Sequence, residues 1–84
     1  MIRFLVIYDI QDDSIRKKVC DICLDYGLDR QQYSIFTGTL SKRQARALSR
    51  EIAHLIEQGA YVIVIPIATT EWNNRVEIGA PLHA

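Results

Sequence analysis

Tyr8 and Asp9 stand side by side at the end of the apolar run over residues 2–10. A carboxylate at the carboxyl end of a strand lies where α/β and α+β domains place functional groups. Its hard oxygens suit a divalent cation such as Mg2+. One acid per chain is a poor metal site, so a shared centre needs a second Asp9 from a symmetry-related copy. The plainer role for Asp9 is to accept hydrogen bonds from backbone amides of the following turn. Arg16, Lys18 and Arg30 are candidate phosphate ligands, because guanidinium and ammonium groups match phosphate oxygens in charge and geometry. Each of them taken alone is equally an ordinary solvated side chain. Arg43, Arg46 and Arg50 recur at i, i+3 and i+7, a basic stripe suited to the backbone of a duplex.

Cys20 and Cys23 have the spacing of zinc and thiol-redox motifs, but they fall inside an amphipathic pattern, and His54 and His83 are not spaced to complete a metal site. Burial in a core is the simpler reading. With two cysteines three apart and no others, a disulfide framework is absent, which fits the reducing cytoplasm. The first residues hold too short an apolar run for a signal peptide or a membrane span. No glycine-rich phosphate loop, serine elbow or HExxH helix is present. Formal net charge is zero, so bulk electrostatics argue for no nucleic-acid partner; the case rests on local clusters, four basic residues and no acid over 42–50 and three cations at 16–18.

The elements that must position these groups are legible in outline. Residues 2–10 are strand-like. Asp12 or Asp13 caps a helix with apolar positions Ile15, Val19, Ile22, Cys23 and Tyr26, and Gly27 stops it. Residues 30–40 return to strand composition, with Gly38 as a bulge or close-approach point. Ser41 and Gln44 form a capping-box pattern ahead of Ala45, Leu48, Ile52, Leu55 and Ile56, and Gly59 ends that helix. Residues 61–67 are a further strand and residues 75–78 a short last one. The 84 residues therefore read as one domain, a two-layer α+β sandwich with both helices on one sheet face. In the first strand Ile2, Phe4, Val6 and Tyr8 point one way while Leu5 and Ile7 point the other, so both faces are apolar. Two helices cover one face only. A second copy across a two-fold axis is the simplest cover for the other, giving a homodimer with sheets face to face.

Three runs carry a specific pattern: Tyr8-Asp9 at the end of the first strand, Arg16-Lys17-Lys18-Val19 opening the helix, and Tyr26-Gly27-Leu28-Asp29-Arg30-Gln31-Gln32-Tyr33-Ser34-Ile35-Phe36. With the basic second helix and the terminal Arg75-Val76-Glu77-Ile78-Gly79, the chain resembles CRISPR-associated protein 2, the small spacer-acquisition subunit. The resemblance implies a ferredoxin-like βαββαβ sandwich that dimerises through its sheet, with an extra terminal strand over 75–79 paired to the partner's sheet edge. The hairpin this fold requires is not visible in residues 30–40, which read as one bent run. The resemblance also implies a divalent-metal phosphodiesterase centre around Asp9, supported by Tyr8, Arg16, Arg30 and Phe36, with nucleic acid as the substrate, duplex DNA or single-stranded RNA. Lys18 stands where some relatives carry arginine, which removes bidentate phosphate contact there. The implied partner is the CRISPR integrase, CRISPR-associated protein 1, during capture of foreign DNA, with a non-catalytic scaffold role as the other form of the same reading. A ribonuclease toxin of the same fold and a regulatory module binding a small ligand at the dimer interface are the alternatives.

Overall fold

A computed structural model describes residues 1–80. The elements run β1 (Ile2–Asp9), α1 (Asp13–Asp25), β2 (Asp29–Gln32), β3 (Ile35–Leu40), α2 (Lys42–Leu55), β4 (Tyr61–Ile67) and α3 (Thr69–Asn73). The four strands form one antiparallel sheet in the order β2-β3-β1-β4. This is the ferredoxin-like arrangement, with β1 central and β4 an outer strand. Pro66 can sit in β4 because an outer strand tolerates a missing N–H.

Local chemistry starts and stops the helices. Asp12 caps α1, its Oδ1 accepting from the Ile15 amide at 2.9 Å. Gly27 follows the last turn at φ +79°, a conformation that favours glycine. Ser41 and Gln44 make the reciprocal bonds of a capping box at the start of α2. The stop of α2 differs from expectation. The helix ends at Leu55 because Ile56 turns to extended backbone and packs partly buried against the core, while Gly59 belongs to the turn before β4. The Tyr26 hydroxyl donates to Glu51, tying α1 to α2.

The core lies between the sheet and these two helices. Phe4, Val6 and Tyr8 of β1 and Phe36 and Leu40 of β3 meet Val19 and Cys23 of α1 and Leu48 and Ile52 of α2. Gly38 lies against Leu28, where an added Cβ would come within 2.7 Å of Leu28 Cδ2, so it is a close-approach point. The bulge falls elsewhere, between Arg30 and Gln32.

Residues 30–40 form a hairpin and not one bent run, with β2 and β3 joined by a turn at Tyr33 and Ser34. That turn contains neither glycine nor proline, so the residues that usually mark one are missing. The Tyr8 amide instead donates to the Ser34 carbonyl at 3.0 Å.

The other sheet face is apolar, as the alternation implies. Leu5 is aligned with Ile65, and Ile7 with Ile63 and Ile35; Ile63 is 36% exposed. One end of this face is covered by a helix the sequence pattern did not show. Trp72 of α3 lies with its ring 4.5 Å from the Arg3 guanidinium and 3.9 Å from that of Arg75. Residues 75–79 form no strand in the single chain: the Arg75 amide and guanidinium hold the Trp72 carbonyl at the end of α3, and Glu77, Ile78 and Gly79 lie beside Gln31 and Gln32 of β2 without joining its ladder. Val76 and Ile78 are 82% and 94% exposed.

Candidate nucleic-acid backbone site

Neighbouring residues in a strand point to opposite faces, and this separates Tyr8 from Asp9. Tyr8 faces the helices, buried, with its ring stacked on Phe36 at 6.2 Å between centroids. Its hydroxyl donates to the Tyr33 carbonyl at 3.0 Å. Burial, with a smaller contribution from Cys20, pushes the phenol up to about 12. Tyr8 therefore stays protonated at neutral pH and is a hydrogen-bond donor there, not a base. Asp9 is exposed on the opposite, apolar face, aligned with Tyr61 of β4.

Arg16, Arg30 and Tyr8 come together on the helix side. They line a recess of about 220 Å³ with Asp13, Lys17 and Cys20. Arg16 Nη1 donates to the carbonyls of Ile10 at 3.0 Å and Gln11 at 3.3 Å, and its Nη2 pairs with Asp13. Arg30 Nε and Nη2 donate to the carbonyls of Gln32 at 3.4 Å and Tyr33 at 2.9 Å. Its guanidinium also lies 5.6 Å from the centre of the buried Phe36 ring.

Lys18 does not join them. One residue turns a helix by about 100°, and the lysine that lines the recess is Lys17, which pairs with Asp21 at 3.1 Å. Lys18 is exposed elsewhere on α1.

Arg43, Arg46 and Arg50 are exposed on α2, while Ala45, Leu48 and Ile52 of the same helix are buried. The stripe thus faces solvent as its periodicity implies. Arg46 and Arg50, with Lys42, also rim an apolar groove of about 480 Å³ floored by Phe4, Ala45 and Val64.

Cys23 is fully buried, and burial first and Cys20 second push its thiol up to about 12, so it packs as a protonated apolar side chain. His83 lies outside the described residues. Among the described residues no three His, Cys, Asp or Glu side chains gather as metal ligands. No helix of the described residues is long and apolar enough to cross a membrane.

Two residues were not marked by the sequence pattern, one beside Asp9 and one against Arg3 at the other end of β1. Tyr61, 64% exposed beside Asp9, reads as the first residue of an alternating strand, and only strand register places it next to the acid. Trp72 lies in a five-residue helix whose first turn has no side-chain cap to announce it.

The family model for CRISPR associated protein Cas2 matches residues 1–75. The chain belongs to the Cas2 family. It is 46% identical over 72 residues to a protein of Chloroflexus aurantiacus named CRISPR-associated endoribonuclease Cas2 2, covering 84% of this chain and 85% of that Cas2. The crystal structure of Streptococcus pyogenes Cas2 superposes with a TM-score of 0.79 over 94% of this chain and 100% of that one; at 21% identity this likeness speaks for the fold. A Thermoproteus tenax protein named as a Cas1/Cas2 endonuclease fusion is 36% identical over 52 residues, 62% of this chain and 20% of the fusion. The matched residues 1–75 include Tyr8-Asp9 and the basic α2.

Proposed function

We propose that this Cas2-family chain acts in the cytoplasm as a homodimer on the sugar-phosphate backbone of nucleic acid during CRISPR spacer acquisition. Asp9 is the reacting carboxylate of a Mg2+-dependent endonuclease centre. The observation that carries this reading is the exposed Asp9 carboxylate at the rim of a bare apolar sheet face, in a chain whose relatives bear endoribonuclease names.

Closing that face with a second copy buries Leu5, Ile7, Ile63 and Ile65 and brings a second Asp9 toward the first. The outer strand β4 leaves an unpaired edge. The alternating segment 75–79, with Val76 and Ile78 exposed, suits strand addition to that edge of the partner.

The donor set of one chain is too small for a divalent ion, and two Asp9 carboxylates give it the oxygen-rich surroundings that Mg2+ prefers. When bound, the ion polarises the phosphoryl group and lowers the pKa of water. The chain's own part is to hold the carboxylates at the end of a central strand. Arg43, Arg46 and Arg50, all exposed, supply backbone contact along α2, and Lys18 adds a cation on α1. The same stripe serves a scaffold that holds duplex DNA beside the CRISPR integrase, Cas1, a reading favoured by the fused Thermoproteus relative.

The test is cleavage of labelled single-stranded RNA and duplex DNA with Mg2+, by wild type beside identically purified Asp9→Asn. Cleavage by wild type only, abolished by a chelator, supports the nuclease centre. Equal cleavage by both, or by neither, removes Asp9 from the chemistry.

A further inference from the structure

We propose that Tyr8, Arg16 and Arg30 are positioning residues that clamp the two turns flanking the end of β1, and are not ligands of the phosphate. The inference rests on Asp9 as the reacting carboxylate for its effect on rate, and on the chain's own hydrogen bonds for everything else.

Each of the three side chains already donates to backbone oxygens. A guanidinium offers five N–H groups in a fixed fork. Arg16 uses its fork to hold the carbonyls of Ile10 and Gln11, the two residues that directly follow Asp9, and to pair with Asp13. Arg30 holds the carbonyls of Gln32 and Tyr33, the entry to the β2–β3 turn. The Tyr33 carbonyl accepts a second bond from the Tyr8 hydroxyl, while the Tyr8 amide holds the Ser34 carbonyl. A turn with no glycine or proline is thus fastened from outside, by β1 and by Arg30. Both turns are tied to the strand end that carries Asp9.

Electrostatics and direction agree. Asp13 and Asp21 sit against Arg16 and Lys17, so the recess is partly neutralised before any anion arrives. The recess opens beside Tyr8, on the sheet face opposite the one from which Asp9 projects. Arginine is suited to this task because one planar fork spans two carbonyls, which a lysine ammonium does not do in the same fixed geometry.

Binding as a function of salt separates a clamp from a phosphate ligand. Each phosphate contact contributes about 0.9 to the slope of log K against log salt on duplex and about 0.7 on single strands. Dissociation constants for a duplex and a single-stranded oligonucleotide are measured over a salt series for wild type, Tyr8→Phe, Arg16→Gln, Arg30→Gln, Arg16→Lys and Arg30→Lys. Amide hydrogen exchange of the same proteins follows residues 10–12 and 33–35. The clamp predicts unchanged slopes, faster exchange in the turn each variant loosens, and lysine variants that behave like the glutamine ones. Where cleavage is observed, kcat falls by about ten- to a hundredfold with KM unchanged, the effect of misplacing a reacting group. Slopes that drop by close to one phosphate contact in the glutamine variants and recover in the lysine variants, with turn exchange unaltered, would overturn the proposal. If wild type does not cleave at all, the nuclease reading fails while slopes and exchange still decide the clamp. If a glutamine variant unfolds, Tyr8→Phe, which removes a single hydroxyl, decides for the β2–β3 turn, and the matching lysine variant decides for its arginine.

Discussion

Asp9 and Tyr61 are aligned across the β1–β4 ladder, and both side chains leave the sheet on the face away from the helices. Directly opposed residues in an antiparallel pair hold their Cβ atoms about 4.5–5.5 Å apart. The exposed acid of this Cas2-family chain therefore has an exposed aromatic ring for a neighbour, while Tyr8, next to it in sequence, is across the sheet.

That neighbour has a consequence for substrate preference. An exposed ring beside the reacting carboxylate offers a stacking surface to an unpaired base, worth about 1–3 kcal/mol. Tyr61→Ala is expected to weaken binding of single-stranded RNA by about five- to 150-fold on that scale, with duplex binding little changed. Tyr61→Phe should bind like wild type. Fluorescence anisotropy on the two substrates reads both.

Gly38 gives a packing prediction. Alanine there places a Cβ 2.7 Å from Leu28 Cδ2 and 3.3 Å from Leu28 Cα, and the backbone atom is the one that cannot swing away. Gly38→Ala should lower stability by about 1–3 kcal/mol, measured by urea titration. Shortening Leu28 to alanine in the same chain should not restore it fully, since the backbone contact persists.

Alkali should unfold the protein in a defined window. The Tyr8 phenol and the Cys23 thiol are both raised to about 12 by burial, from ordinary values of 10.0 and 9.0. Above the lower values the unfolded chain releases protons that the native chain keeps, so stability falls as pH rises. The contribution of these two groups is complete below about pH 9 and is lost between there and about pH 12. Tyr8→Phe should flatten the part above pH 10. A thiol reagent at pH 8 should modify Cys20 and leave Cys23 untouched until the protein is unfolded, which mass spectrometry reports directly.

How far the sequence reached depended on whether a feature is local. Asp12, Gly27, Ser41 and Gln44 act on amides within a few residues, and their roles were visible from spacing alone. The two apolar faces were visible too, because alternation in a strand is a local pattern. What escaped is what only pairing creates. The β2–β3 turn is fastened by Tyr8, 25 residues away from Tyr33, and carries no turn residue of its own. The end of α2 is set by Ile56 packing on the core, not by Gly59. At the site, Asp9 and the α2 stripe stood out as exposed charges. The strand puts Asp9 on the face opposite Tyr8, Arg16 and Arg30, and the helical turn presents Lys17 rather than Lys18 to the recess; neither relationship shows in residue spacing.

The reading as a whole depends on the bare face of the sheet being closed by a second copy. Sedimentation velocity at micromolar concentration, wild type beside Ile63→Glu, tests it most directly. Ile63 is 36% exposed in the single chain, so a charge there is tolerated by a monomer and is costly at an apolar interface. The account predicts a wild-type dimer and a folded, monomeric Ile63→Glu protein. A wild-type monomer, or a variant that remains fully dimeric, would contradict it.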